Sequence, residues 1–266
     1  MTWTTLQRSD VINGVSCYRK GDGPLLMPIH GVGLRAEAWG GQIDALADHF
    51  SVCAIDMPGH GESDLLDPES GLAEFSDRIS SVIEELNEPV ILMGHSMGGM
   101  ITMDIAANKP HLCKAIVVLN AICGREPEAS EAVKQRAAGL SVDSTPSPED
   151  PLRRWFGEDQ TVPQAVACRS WLTSVDPVGY KTAYSVFANN NGLTDDELEA
   201  LACPALFMTG SEEPNSTPAM SEKMARLAPK GKAVIIEGAA HMMPMTHAVE
   251  VNAHIRESMK AEGVIQ

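Results

Sequence analysis

Val90-Ile91-Leu92-Met93-Gly94-His95-Ser96-Met97-Gly98-Gly99-Met100 decides the reading of the chain. Apolar residues of strand-forming character run into Gly-x-Ser-x-Gly. A helix-like pattern of Met100, Ile101, Met103, Ile105 and Ala106 follows. Strand, sharp turn and helix with a serine at the apex make a nucleophile elbow. The turn forces Ser96 into a strained backbone, and Gly94 and Gly98 leave room where side chains would collide. The hydroxyl then stands above the sheet, beside a helix N-terminus whose free N–H groups and positive dipole end suit a developing oxyanion. Composition alone would produce Gly-x-Ser-x-Gly in about one chain in ten of this length, so the flanking strand and helix carry the reading.

The surrounding chain of 266 residues accommodates one large α/β domain with an insertion, or at most two small domains. It is 44% apolar and 21% charged, ordinary for a globular protein that buries a core without disulfides. A net charge of −16 disfavours nucleic acid and anionic membranes as partners but says little about substrate, since a local cationic pocket can coexist with an acidic exterior. A small-molecule substrate is the expected partner, and a homodimer is an open possibility. The six cysteines lack Cys-x-x-Cys spacing and read as reduced, buried small hydrophobes. The N-terminus has no basic-then-apolar leader pattern, and no apolar run approaches the length of a membrane span; a cytoplasmic enzyme is expected.

Ahead of the elbow, Thr2 to Arg8 and Val15 to Arg19 read as strands, with Asn13-Gly14 in the turn between them. Leu25 to Ile29 is a buried strand in which Pro28 cannot donate to a ladder, implying a bulge or a free side. It ends in His30-Gly31-Val32-Gly33. Trp39 to Phe50 has helical spacing, Ser51 to Ile55 is a strand, and Leu72 to Leu86 is an amphipathic helix. After the elbow helix, Lys114 to Leu119 is another buried strand.

From Asn120 to about Leu201 the alternation of strand and helix breaks. Glu131 to Leu140, Pro151 to Phe156, Pro163 to Leu172 and Tyr180 to Asn189 read as helices, so residues 121–201 are expected to form a helical lid. Residues 1–120 and 202–266 form the core. Strands at Pro204 to Gly210 and Lys232 to Glu237 and helices at Pro218 to Leu227 and His247 to Lys260 complete it. Such alternation means a mostly parallel sheet covered on both faces, with function at the carboxyl ends of its strands. Ser96, Gly210, His241 and His30-Gly31 all follow predicted strands on that edge.

A serine attacking a carbonyl needs a base, and the base needs a carboxylate to fix its tautomer. Of eight histidines, His30 and His95 lie within strand-end motifs. His49, His60, His111, His247 and His254 fall on predicted helices or a polar loop, where a solvated imidazole is the default. His241 alone follows the last strand in a loop of small residues, which makes it the candidate base. No Gly-x-Gly-x-x-Gly fingerprint or metal-ligand spacing is present, so no cofactor and no metal are expected.

His30-Gly31-Val32-Gly33, Asp56-Met57-Pro58-Gly59-His60-Gly61-Glu62-Ser63, Gly94-His95-Ser96-Met97-Gly98, Gly210-Ser211-Glu212-Glu213 and Gly238-Ala239-Ala240-His241 together resemble the α/β-hydrolase superfamily over nearly the whole chain. They look like its lidded esterase, enol-lactonase and C–C hydrolase branch. The resemblance implies the α/β-hydrolase fold, with a mostly parallel eight-stranded sheet, helices on both faces and an inserted helical lid. It implies Ser96 as nucleophile, His241 as base, and an oxyanion hole from the backbone N–H groups of Met97 and Val32, whose side chains would shape the pocket floor. Where the family usually has aspartate this chain has Glu213, the leading candidate for the acid. Glu212 is an alternative. Some members carry the acid after the preceding strand, a region that here holds Asn120 and, farther along, Glu126. Asp56 reads as structural.

Gly31, His95, Met242 and Trp155 are expected to contact substrate. Met97, Met100, Met243, Phe156 and Trp171 are further candidates for an apolar cleft, and one of Arg125, Arg153, Arg154 and Arg169 for a substrate carboxylate. The expected activity is hydrolysis of a small ester, lactone or related acyl compound through an acyl-enzyme. Cleavage of a C–C bond in a vinylogous diketone uses the same residues. A non-catalytic small-molecule receptor on this scaffold is the reading from a different class.

Overall fold

Every residue of Val90–His95 is buried, as a parallel strand covered on both sides requires. The computed structural model describes residue 3 and residues 6–265. Its strands are β1 (Asp10–Ile12), β2 (Val15–Lys20), β3 (Leu25–Ile29), β4 (Ser51–Ile55), β5 (Val90–His95), β6 (Cys113–Leu119), β7 (Ala205–Gly210) and β8 (Gly231–Ile236). They form one eight-stranded sheet in the order β1-β2-β4-β3-β5-β6-β7-β8. Pairing is antiparallel for β1–β2 and β2–β4 and parallel for the rest. This is the expected α/β architecture.

The helices in the first half of the sheet are α1 (Gly40–Leu46), α2 (Leu72–Leu86) and α3 (Met97–Asn108). Five more, α4 (Pro127–Ala138), α5 (Glu149–Phe156), α6 (Pro163–Ser174), α7 (Pro177–Asn189) and α8 (Asp195–Glu199), separate β6 from β7. The last are α9 (Pro218–Leu227), α10 (Met243–Thr246) and α11 (Ala248–Ala261). Side chains of β5 alternate between two cores. Val90 and Leu92 pack with Phe75, Ile79 and Ile101 from α2 and α3; Ile91 and Met93 pack with Ile43, Val251 and Ile255 from α1 and α11. Among the described residues no helix is long and apolar enough to cross a membrane.

Local chemistry accounts for the boundaries. The α2 N-terminus is closed by Gly71 N–H donating to Glu74 Oε2 at 2.7 Å, and its C-terminus by Asn87 in the left-handed region. The short α8, not anticipated from periodicity, is held by a Thr194–Glu197 capping box. Pro28 sits within β3 opposite Met93 of β5, while pairing with β4 lapses between Leu26 and Ile29. The predicted helix over Trp39 to Phe50 is a 3-10 turn at Ala36–Trp39 followed by α1, and that over His247 to Lys260 starts earlier as α10 before α11.

The first predicted strand is a correction. Thr2, Thr4 and Thr5 lie outside the described residues, and Leu6 to Arg8 form no strand. Their polar groups go to side chains instead. Leu6 N–H donates to Glu37 Oε1 at 3.1 Å, and Arg8 turns inward to Glu37 and Asp56, at 2.8 Å each. The hairpin is instead β1–β2 across Asn13-Gly14, both with positive φ. Asp56 also accepts from the amides of Ala36 and Glu62, and it sits in this buried network as the structural reading expected. Arg8→Ala leaves buried Asp56 without its cation and Glu37 with Arg35 alone, at 3.1 Å, and is expected to lower stability by about 3–5 kcal/mol. A urea midpoint corresponding to a loss under about 1 kcal/mol would contradict that role for Arg8.

Candidate active site

Ser96 stands at the junction of β5 and α3 with φ +56° and ψ −118°, a conformation costly for a side chain. The turn is held on both sides: Ser96 N–H donates to Leu119 O at 2.9 Å, and Ser96 O accepts from Gly99 and Met100. A Cβ at Gly94 would strike the Gly98 carbonyl, and one at Gly98 would strike the Ile29 carbonyl. Glycine at 94 therefore lets the strand and helix of the elbow close on each other, and glycine at 98 lets the elbow pack against β3.

His241 reaches the same edge from the loop after β8. Its Nδ1 lies 2.7 Å from Glu213 Oε2, in the loop after β7. Glu213 is buried, and its other oxygen accepts from the amides of Asn215 at 2.8 Å and Ser216 at 3.4 Å. Asn120 Nδ2 adds a contact to Oε2 at 3.3 Å. Burial alone would push the Glu213 carboxyl up. The charge and hydrogen bond of His241, with the two amides, outweigh it and hold the group at about 2. Glu212 is exposed and makes no hydrogen bond to His241 among the described residues, so the structure brings Glu213, not Glu212, to the imidazole. No hydrogen bond joins Ser96 Oγ to His241 among the described residues, and pairs of this kind commonly tighten only with substrate bound.

His95 is buried beneath His241. Its Nε2–H donates to His241 O at 2.8 Å, and the two rings lie 4.8 Å apart. Burial, and then the charge of His241, lower its pKa to about 3. His60 is not solvated, contrary to expectation. It is 1% exposed, accepts from Gly33 N–H at Nε2 (3.0 Å), and is lowered to about 3, first by burial and then by His30. A neutral folded histidine resists a proton that the unfolded chain takes up from near pH 6.5. Stability is therefore complete above that pH and is lost as pH falls from 6.5 toward 3. Each ring is expected to remove about 1.4 kcal/mol by pH 5.5. Imidazole nitrogen NMR should show both rings neutral at pH 5; titration near 6.5 in the folded protein would refute this.

Ser96 and His241 line one cavity of about 360 Å³ with Gly31, Val32, His95 and Trp155. The Trp155 ring stacks 6.0 Å from that of His241. Among the described residues the amides of Val32 and Met97 donate to no protein acceptor, which leaves two N–H groups beside the serine. Helices α4 and α7 supply the opposite wall. Ala129, Ala132, Val133 and Arg136 come from α4, and Tyr180, Tyr184 and Phe187 from α7. Their i, i+3, i+4, i+7 spacing was the available signal for these residues, Arg136 included, which the sequence reading missed.

Three arginines face this cavity, Arg125, Arg136 and Arg154, against the single carboxylate Glu126 among the described residues of its wall. Arg125 donates to Phe187 O and Asn190 O and lies over the Phe187 ring; burial lowers it to about 10. Arg136 Nε donates to Tyr184 Oη. Arg154 has no hydrogen-bond partner among the described residues. Arg153 and Arg169 lie off the wall, and Arg169 pairs with Glu149.

Met242 does not line the cavity. The loop turns its side chain into a buried cluster with Leu34, Trp171, Leu172 and Met245. Met97, Met100 and Met243 are likewise buried in the cores, so the Met97 side chain shapes no pocket floor, whereas Val32 does reach the wall. Phe156 packs against the Met242 cluster, and Trp171 borders a separate, smaller cleft. No group of three or more His, Cys, Asp or Glu side chains among the described residues is placed to hold a metal ion.

The sequence profile of the Alpha/beta hydrolase family matches residues 29–254, and the chain belongs to that family. Among curated proteins it is 41% identical over 237 residues to (E)-2-((N-methylformamido)methylene)succinate hydrolase of Acinetobacter baylyi, covering 88% of this chain and 90% of that one. It is 28% identical to 2-(acetamidomethylene)succinate hydrolase of Mesorhizobium japonicum, covering 84% and 83%. A solved thermophilic esterase from Thermogutta terrifontis superposes with a TM-score of 0.82 at 25% identity, covering 93% of both chains. The protein is a hydrolase of the α/β fold.

Proposed function

We propose that the protein is a serine hydrolase that cleaves a small acyl compound bearing carboxylates. The relatives point to an N-acylaminomethylene succinate as the kind of substrate. The observation that carries this reading is that Arg125, Arg136 and Arg154 line the same cavity as Ser96 in a chain of net charge −16. Guanidinium groups bind carboxylates with charge-assisted, often bidentate bonds.

In this mechanism Ser96 Oγ attacks the acyl carbon and its proton passes to His241 Nε2. Glu213 holds Nδ1 and stabilises the imidazolium. The oxyanion is received by the amides of Val32 and Met97. The bond from the acyl carbon to its leaving group breaks as His241 returns the proton to that group. Water, deprotonated by His241, then releases the acid and restores the serine. Residues 121–201 act as the lid that presents the arginines. Esters and lactones are open to the same steps.

Steady-state kinetics on (E)-2-((N-methylformamido)methylene)succinate, p-nitrophenyl acetate and a ring-fission vinylogous diketone test the reading. The dicarboxylate is expected to have the highest kcat/KM; preference for the neutral ester or for C–C cleavage would overturn it. Arg154→Gln is expected to raise KM for the dicarboxylate by about 10- to 100-fold, the loss of one charged hydrogen-bonding partner, and to leave the neutral ester unchanged. Equal effects on both substrates would remove Arg154 from recognition.

A further inference from the structure

We infer that His30 and His60 are the positioning residues of the oxyanion site, fixing between them the two peptide planes that flank Val32. This rests on the proposal that Ser96 is the nucleophile. Gly31 O accepts from His30 Nδ1–H at 2.8 Å and from Leu34 N–H at 3.2 Å. The Gly31–Val32 peptide is trans, so pinning its oxygen on one side aims the Val32 N–H to the other. Hydrogen bonds accepted by a carbonyl also polarise its peptide and strengthen the N–H as a donor. The next peptide is fixed by Gly33 N–H donating to His60 Nε2 at 3.0 Å. Gly33 itself has φ +78°, a turn that needs such an anchor to be unique.

Each ring is tied at its other nitrogen to the turn after β4. His30 Nε2 accepts from Met57 N–H at 2.9 Å, and His60 Nδ1–H faces Pro58 O at 3.2 Å. The two loops thus exchange one histidine each, with ring centroids 5.5 Å apart. The partners dictate the tautomer. A carbonyl beside Nδ1 and an amide N–H beside Nε2 require a proton on the first and none on the second. Burial holds both rings neutral, consistent with the pKa of each being lowered. Neither ring touches the wall of the Ser96 cavity, so neither acts on substrate directly. Their effect is on a backbone donor that stands next to the elbow: a Cβ on Gly31 would lie 3.1 Å from Ser96 Cβ.

The test compares His60→Gln, whose amide oxygen can still accept from Gly33, with His60→Met, of similar volume and without that acceptor. Each is assayed for kcat, KM and inhibition by phenylboronic acid, which forms a tetrahedral adduct on a serine. His60→Met is expected to lose about 10- to 100-fold in kcat, less than removal of an oxyanion donor outright, with KM within about two-fold. Boronate affinity should fall in proportion to kcat, and His60→Gln should recover most of both. Unchanged kcat in folded His60→Met would overturn the inference. So would parallel losses in the two variants with boronate affinity unmoved, the signature of a general structural role. If His60→Met does not fold, His30→Gln supplies the comparison: it cannot donate and accept at both anchor points of the ring, and the same kcat-specific loss is expected, with unchanged kcat overturning the inference. Failure of the wild type to react with a serine-directed fluorophosphonate would instead sink the nucleophile assignment beneath it.

Discussion

Ser96→Ala is expected to lower kcat by about a million-fold while the protein remains folded. In the proposed mechanism the elbow presents the attacking hydroxyl, and no other serine shares the cavity wall with His241 among the described residues. What activity remains would come from binding and the amide donors acting on water. Ser96→Gly separates chemistry from stability. It is equally inactive, yet it relieves a side chain held at φ +56°, ψ −118° and is expected to raise stability by about 1–2 kcal/mol. Calorimetry beside the kinetic assay checks both halves. A serine that merely closed a glycine-rich turn would leave turnover intact in both variants.

Glu213→Gln is expected to lower kcat by about ten thousand-fold. The carboxylate is ionised and accepts from His241 Nδ1 at 2.7 Å. An amide is neutral, and with its NH2 group toward Nδ1 it drives the imidazole proton onto Nε2. That nitrogen must be bare to receive the serine proton. The charge that stabilises the imidazolium is lost as well. The buried environment keeps the substituted side chain in place, because Asn215 and Ser216 N–H groups still meet an oxygen. Glu212→Gln, on an exposed neighbour, is the control and should change kcat by less than about three-fold. Comparable losses in the two variants, or none in the first, would mean the carboxylate is not part of the machinery.

The pattern around Ser96 was legible because its physical demands are local. A both-faces-buried strand is a continuous apolar run, and the elbow needs glycine at 94 and 98. His241 was legible through its place after the last strand and Glu213 through the family resemblance, although only folding shows the 2.7 Å contact. The cavity wall was less so. Met242 reads as apolar and adjacent to His241, but the loop geometry that directs it into the Trp171 cluster leaves no mark in composition. Arg136 lies on a helix whose cavity face is made of alanine and valine, residues that look like ordinary core. His60 looked solvated because its loop is polar, yet its ring is enclosed where two loops meet, a long-range consequence of strand order. Leu6 to Arg8 failed as a strand because a single arginine found two buried carboxylates far along the chain.

Mass spectrometry of the protein treated with a fluorophosphonate bears most directly on the whole account. One adduct per chain on the peptide containing Ser96, absent from folded Ser96→Ala, is the predicted result. A protein that hydrolyses its substrate while Ser96 stays unmodified, or that is labelled elsewhere, would contradict it.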